Sequence, residues 1–388
     1  MKQRALISGG GIAGLALGFW LERIGIEPVV IERASRFEAL GHYIALKGNG
    51  VNVIRQMGLE PACRAREVQF ERSMMLTATG RRLRMGGREE FDHNLGGYIL
   101  FRRADLQASL FEAVREKIEI RYGTQFVAIR DQGAQVEVEL SAGNSESFDF
   151  VFGADGIHSR TRKLVFGDGF IEPLGGHYIA LTMDVAHGLP PNQIRSYFGR
   201  GQSVHLFLTS PSRVSLVVYH GDGDVQLAGK DSGAVKAFLL EAYSDFAPEV
   251  LSIFQAIDER AFVFVDAIAQ VRMPSIVKGR VALLGDAAHC PTFMSGMGSS
   301  LALQGAQALA MHLEQQRDDP VRALRSYQAA ITPIAARYQA SALEMRPMLL
   351  DRRPWLAWAR NAGLRLTPEW LMERKTRQFY HAENARHR

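Results

Sequence analysis

The tightest constraint on the fold lies near the start of the sequence. There a short apolar run, Ala5-Leu6-Ile7, stops at Gly9-Gly10-Gly11-Ile12-Ala13-Gly14. Gly9, Gly11 and Gly14 fill a Gly-x-Gly-x-x-Gly pattern, and Leu15, Leu17, Phe19, Trp20 and Ile24 then continue as an apolar helix. Gly18, one turn on, leaves that helix room to lie close against a sheet. A second apolar run, Val29-Val30-Ile31, ends at Glu32, 18 residues beyond Gly14. Strand, glycine turn, helix, strand and acid in that order predict a dinucleotide-binding unit. The glycines permit the tight turn and a close phosphate, the helix start offers free N–H groups, and the carboxylate reaches a ribose hydroxyl. This unit alone does not separate a flavin dinucleotide from a nicotinamide one.

A late segment carries the complementary signal. Val281 to Leu284 is continuously apolar, which suits a strand buried on both faces, and it ends in Gly285-Asp286. Ala302, Ala306, Leu309 and Leu313 recur at helical spacing. Between them Gly296 and Gly298 would let a flat ligand approach the backbone. A helix starting near Ser299 would aim its N–H groups and positive dipole end into that loop. Such a place suits a ligand that becomes negative as it works, and predicts the floor of a flavin site.

The rest of the chain reads as walls around that floor. Residues 33–60 are expected as a loop, Arg33 to Gly50, and then a helix ending at Met57-Gly58. Lys47-Gly48-Asn49-Gly50 is either a cofactor contact or a helix-entry turn. Residues 70–84 read as strands leaving the first domain. Phe101 to Leu106 opens a helix with Leu106, Leu110 and Val114 on one face. Arg103 sits in its first turn, where a cation is unfavourable unless an anion lies near. Gln135 to Leu140 alternates cleanly, Ser141 to Ser145 turns, and Phe148 to Phe152 returns as a strand, an antiparallel flap. Gly153 to Arg162 then supplies Asp155, Gly156, Ser159 and Arg162 at a helix entry.

From about Gly175 the pattern becomes four strands (near 177–184, 193–199, 203–209 and 213–220), helices near 233–243 and 248–257, and a strand Phe262 to Asp266. This is an inserted β-sheet domain whose inward positions are expected to carry Tyr197, Phe207 and Tyr219 beside Met183 and Arg213 as substrate contacts. Beyond Leu313 come helices, with Pro347 and Pro354 expected to break residues 344–360. Those prolines weigh against a membrane-surface role for the terminal helix, because they would interrupt an amphipathic stripe.

Composition sets outer limits. A length of 388 residues suits two domains or one with a large insertion, and 47% hydrophobic with 22% charged residues suits a substantial core. Residues 371–388 hold five Arg or Lys against two Glu, so +3 of the net +5 is terminal. No basic stripe interleaves with aromatics, and nucleic acid is not expected as a partner. Cys63 and Cys290 alone give no disulfide framework and no thiolate metal site; no metal is expected. The N-terminus lacks a signal-peptide pattern and no run approaches a membrane span, so no stable membrane insertion and a cytoplasmic location are expected.

Gly9 to Gly14 with Glu32, the Asp155 to Arg162 set, and Gly285-Asp286 with its glycine loop together resemble the single-component (class A) flavoprotein aromatic hydroxylases typified by para-hydroxybenzoate hydroxylase. The resemblance spans residues 4–315. The stretch from Asp266 to Leu313, with His289-Cys290-Pro291 and Leu303-Gln304-Gly305-Ala306, looks closest to the branch containing the tetracycline-inactivating monooxygenases. This resemblance implies an α/β fold: a Rossmann-like FAD-binding domain (GR2-type) with an inserted mixed β-sheet substrate domain and C-terminal helices. The expected division is FAD-binding domain over 1–70, 99–172 and 267–325, substrate domain over 71–98 and 173–266, and bridging and terminal helices over 326–388.

The resemblance also implies roles. Gly9, Gly11, Ala13 and Gly14 would cradle the FAD pyrophosphate; Glu32, with Arg33 beside it, would hold the adenosine ribose. Lys47 and Arg103 would contact the dinucleotide, Asp286 its ribityl or phosphate part, and Asp155 the cofactor region or the nicotinamide donor. Pro291, Gly296, Met297 and Gly298 would lie beside the isoalloxazine. The sequence departs from the family at Met297, where Gln is usual, and at Ser299-Ser300, which replaces an apolar-Asn pair. The implied activity is an NAD(P)H-consuming monooxygenase, acting as a monomer through a flavin C4a-hydroperoxide. It would insert one atom of O2 into an aromatic or polycyclic phenolic small molecule, with tetracyclines in range. Because the flavin carries the chemistry, no side chain is singled out as catalytic, and His289 reads as a structural histidine or a proton shuttle. Two other readings fit the same residues: a flavin-dependent dehydrogenase or reductase without oxygen transfer, and a flavin-bound protein without turnover.

Overall fold

The structure is a computed structural model of the chain and describes residues 2–37, 41–88, 95, 97–221, 231–374 and 376. Arg4–Ser8 runs through a six-stranded sheet in the spatial order 277–278, 281–283, 150–153, 4–8, 27–31, 119–121. All of these strands pair in parallel except the edge pair of 277–278 with 281–283. Its central strands are covered on both faces, which is why they read as unbroken apolar runs. The helix Ile12–Arg23 crosses it at close range: a Cβ on Gly18 would stand 2.9 Å from Ile118 Cδ1 and 3.8 Å from Val30 Cγ2. The late helix, Gly298–Gln315, packs beside it and buries Ala302, Ala306, Leu309 and Leu313, as their spacing predicted.

Two local expectations are corrected. Residues 33–50 are not all loop, because Tyr43–Lys47 forms a strand antiparallel to Tyr98–Arg102. Its partner lies over fifty residues away, so no local pattern announces it. The run Phe148 to Phe152 is two strands: Ser145–Phe148 closes a three-stranded flap with 126–131 and 136–140, and Phe150–Gly153 enters the main sheet. Asp149 makes the break, its carboxylate accepting from the Arg4 N–H at 2.8 Å.

The second domain is a seven-stranded sheet in the order 262–271, 171–184, 213–220, 202–210, 193–198, 72–77, 82–87. It is antiparallel throughout except where 193–198 meets 72–77. The first and last segments overrun the expected boundaries: strand Ile171–Asp184 begins two residues before 173, and Phe262–Val271 continues five past 266. One face packs Leu181, Tyr197, Leu206 and Val218 onto Leu239, Tyr243 and Phe254 of the helices Ser232–Ala242 and Pro248–Gln255. The other face looks back toward the dinucleotide-binding unit.

One helix joins the two domains. Pro320–Leu350 places Leu324, Tyr327, Ile331 and Tyr338 in the core of the first domain and Ala342, Leu349 and Leu350 against Phe198 and Tyr219 of the second. Pro347, expected as a break, lies inside its last turn, and Pro354 opens the terminal helix Pro354–Leu366 at its first position, where the missing N–H costs no hydrogen bond.

Candidate functional site

Between the domains lies a cavity of about 1030 Å³. That exceeds what a single drug-sized ligand usually occupies, roughly 300–1000 Å³. One end is built from the glycine turn. Gly9 has φ +108°, and a Cβ there would come within 2.5 Å of the Ala154 carbonyl oxygen. A Cβ on Gly14 would collide with the Gly9 carbonyl oxygen. Gly11 caps the helix Ile12–Arg23 without any side-chain hydrogen bond, so the first N–H groups there are left for a ligand, and Ala13 lines the same wall. Glu32 is oriented by the N–H of Gly10 (2.8 Å) and of Ala34 (2.9 Å). Gln107, which no motif pointed to, donates to the Gly10 carbonyl at 2.9 Å and fixes the turn from outside. Arg33 is exposed and does not line the cavity.

Cations and a carboxylate gather where the two glycine segments approach. A Cβ on Gly11 would lie 4.0 Å from Arg103 Nη2, and one on Gly296 would lie 3.0 Å from Lys47 Nζ. Lys47 is therefore a cavity residue, while Gly48 after it caps the helix Asn49–Gln56, the helix-entry turn foreseen for this stretch. Asp286 opens the short helix after Gly285, which has φ +61°. Its depth in the fold raises the carboxyl pKa, with Arg103 pulling the other way; water still reaches it through the open cavity. Pro291 lines the cavity, and Thr292 beside it has φ +68°, a strained conformation for a β-branched residue. The helix Gly298–Gln315 also begins without a side-chain cap, aimed at the same space.

Met297 and Ser300 show what the family departures do here. Met297 is fully buried in the hydrophobic core and offers the cavity no side chain. Ser300 donates from its hydroxyl to the Lys47 carbonyl at 3.0 Å, tying the helix start to the Tyr43–Lys47 strand. Asp155 does not line the cavity, although Ala154, Gly156 and Ile157 do. Its carboxylate accepts from Thr161 N–H (2.9 Å), Thr161 Oγ1 (2.8 Å) and Ser159 Oγ, holding the start of the helix Arg160–Phe166. His289 is buried away from the cavity, and burial lowers its pKa to about 4.

The other end of the cavity is the free face of the seven-stranded sheet. Phe207 and Tyr219 line it as expected. Tyr197 and Met183 do not: strand pairing sets Tyr197 opposite Val204 and Phe207 opposite Ile194, on opposite faces of the same ladder. Alternation therefore sends Tyr197 and Met183 into the helix-covered core, where the Tyr197 hydroxyl donates to Glu249 at 3.0 Å. Arg213 does not line the cavity either; it pairs with Asp184 at 2.7 Å. The sequence reading missed Phe198, His205, Tyr178 and Phe293. His205 shares hydrogen bonds with Ser196 (2.9 Å) and Ser203 (3.2 Å), and burial lowers its pKa to about 4, so it is neutral. Phe293 stacks on Tyr178 with centroids 4.9 Å apart. Ser341, Glu344, Met345 and Met348 of the bridging helix form the third wall, at the i, i+3, i+4, i+7 spacing that the sequence already displayed.

These residues fit a flavin dinucleotide. There is a glycine cradle that any Cβ would fill, there are two uncapped helix starts, Lys47 and Arg103 face them, and a broad aromatic wall lies beyond. A family profile described as FAD binding domain matches residues 2–342. A flavin-dependent monooxygenase from an unknown prokaryotic organism is 30% identical over 347 residues, covering 85% of each chain. One from Legionella longbeachae is 28% identical over 344 residues, covering 84% of this chain and 85% of that one. Among solved structures, Klebsiella pneumoniae HpxO complexed with FAD and uric acid aligns with a TM-score of 0.84 at 23% identity, over 97% of this chain and 96% of that one. The tetracycline destructase Tet(51) aligns with a TM-score of 0.77 at 24% identity, over 98% and 99%. The fold and the site define a flavin-binding oxidoreductase. The chain belongs to the FAD-binding-domain family, within its flavin-dependent monooxygenases.

Proposed function

We propose that the protein is an NAD(P)H-consuming FAD monooxygenase that places one oxygen atom of O2 on an aromatic or polycyclic phenolic small molecule, a class that includes the tetracyclines. The observation that carries this reading is the continuity of the cavity from the glycine-and-cation end to the aromatic face of the sheet. When bound, FAD supplies the electron transfer and oxygen activation. The chain's own residues do the rest. The Gly9–Gly14 turn and the start of the Ile12–Arg23 helix bind the diphosphate; Glu32 takes a ribose hydroxyl; Arg103, Lys47 and Asp286 hold the middle of the dinucleotide. The start of the Gly298–Gln315 helix, with Gly296 and Gly298, would hold the redox-active part of the cofactor and favour negative charge on it. Phe207, Tyr219, Phe198 and Met75 orient a flat substrate and exclude water from it.

The test is incubation of the FAD-loaded protein with NADH or NADPH, O2 and a panel of phenols, followed by mass spectrometry. A substrate-stimulated product heavier by one oxygen atom is expected. A product changed by two hydrogens would replace this reading with a dehydrogenase or reductase, and a protein that never takes up flavin would remove it.

A further inference from the structure

The terminal helix Pro354–Leu366 buries none of its residues. Trp355, Trp358 and Leu366 are 60%, 73% and 75% exposed, and Trp370 in the helical segment that follows is 63% exposed. Three of the chain's four tryptophans therefore stand in water within sixteen residues, which asks for an occupant. Positions 355, 358, 359, 362 and 366 fall on one side of the helix and read Trp, Trp, Ala, Ala, Leu. The opposite side is the anchored one. There Arg360 donates to the carbonyls of Gly199 and Met348, both at 2.9 Å, and Leu364 packs against the cluster around Tyr219. Just beyond the helix, the Thr367 carbonyl accepts from Arg84 at 3.2 Å.

The charge of this stretch is predominantly positive. In sequence, residues 351–377 hold seven Arg or Lys against Asp351, Glu369 and Glu373, a net +4. Arg352, Arg365 and Arg374 are exposed; the Arg353 guanidinium lies 5.4 Å from the centre of the Trp355 ring and is paired with the Asp351 carboxylate at 2.7 Å. The prolines no longer argue against a continuous apolar stripe, since Pro354 starts the helix and Pro347 belongs to the one before it.

We propose that this face is a peripheral docking surface for an anionic lipid bilayer. Tryptophan rings settle at the headgroup level, with an apolar body inward and the indole N–H toward water, while flanking arginines meet lipid phosphates. A second copy of the chain fits less well, because a two-fold contact would set the same positive face against itself. Nucleic acid fits less well too, because the centre of the stripe is apolar and the arginines lie at its margins. Among the described residues no helix is long and apolar enough to cross a membrane, and the contact proposed is with the surface.

The experiment is flotation of the full-length, FAD-loaded protein with vesicles of phosphatidylcholine alone or mixed with an equal share of phosphatidylglycerol. Binding to the anionic vesicles is expected, weaker in high salt and much weaker to the neutral ones. Trp355→Ala with Trp358→Ala should lower the partition at least tenfold. Arg365→Gln should lower it about fivefold on anionic vesicles and little on neutral ones. Unchanged circular dichroism and flavin content would show that the variants are folded. Absence of flotation, or flotation indifferent to the tryptophans, overturns the proposal. Concentration-dependent dimerisation abolished by the same double substitution, without flotation, also overturns it and gives the face to a second copy.

Discussion

The guanidinium of Arg162 donates to the carbonyl oxygen of Ala287 at 3.0 Å, across a gap of 125 residues. A second bond from the same group reaches the Ile157 carbonyl at 2.6 Å. The two motifs of the middle and late chain, Asp155 to Arg162 and Gly285-Asp286, are thus one unit in space. Asp155 holds the helix start, Ser159 caps it, and Arg162 pins the short helix that carries Asp286. Arg162→Met should therefore act on stability and on Asp286 together. It leaves two carbonyls without partners, worth about 2–4 kcal/mol in total, and it should lower flavin retention. Denaturant unfolding with and without added FAD measures both; an unchanged midpoint would contradict the pinning role.

Gly14→Ala tests the cradle more directly. The new methyl group would overlap the Gly9 carbonyl oxygen, and neither backbone can yield without opening the turn. Overpacking of this kind costs about 1–3 kcal/mol. The purified variant should be colourless at flavin concentrations that saturate the wild type. Gly25→Ala is the control for losing a glycine: its φ of +84° brings strain, but nothing lies within 4 Å of the added atom, and it should keep its flavin.

Parity along the sheet gives a paired prediction. Phe207→Ala removes a cavity wall and should raise KM for any substrate found, with little effect on folding. Tyr197→Phe removes the hydrogen bond to Glu249 on the far side of the same sheet. It should cost about 0.5–1.5 kcal/mol of stability and leave KM unchanged. Steady-state kinetics and thermal unfolding on the two variants separate the faces.

Acid should weaken the protein through its buried histidines. Burial holds His42 and His289 at about 4 in the folded state, against 6.5 when unfolded. Between those values the unfolded chain binds protons that the folded one refuses. Stability is therefore complete above pH 6.5 and falls as pH drops toward 4. Each histidine withdraws about 2 kcal/mol between pH 7 and pH 5 if its shift is fully expressed. Urea unfolding at the two pH values, repeated with His289→Gln, should show the loss and its reduction in the variant.

The cofactor end was legible in the sequence because its chemistry is local. A glycine turn, a helix start and a second strand must follow one another within a few dozen residues, and Arg4–Ser8, Ile12–Arg23 and Glu27–Ile31 form in that order, with Gly296 and Gly298 at the cavity. The substrate end was only half legible. Alternation shows that Tyr197, Phe207 and Tyr219 each have a side of the sheet, but which strand faces which depends on register, and register is set by partners far along the chain. Tyr43–Lys47 was hidden for the same reason. Met297 could not be interpreted from its neighbours, since a residue type changed at a ligand-facing loop says nothing of whether its side chain turns inward.

The bridging helix has a mechanical consequence. Its 31 residues span about 46 Å at 1.5 Å per residue, with the early turns packed into one lobe and the final turns into the other. A strut fastened at both ends resists a clamshell motion, because closing the lobes would strip Tyr338 or Leu349 from its seat. Met345 and Met348, long and unbranched, lie on the strut where it borders the cavity.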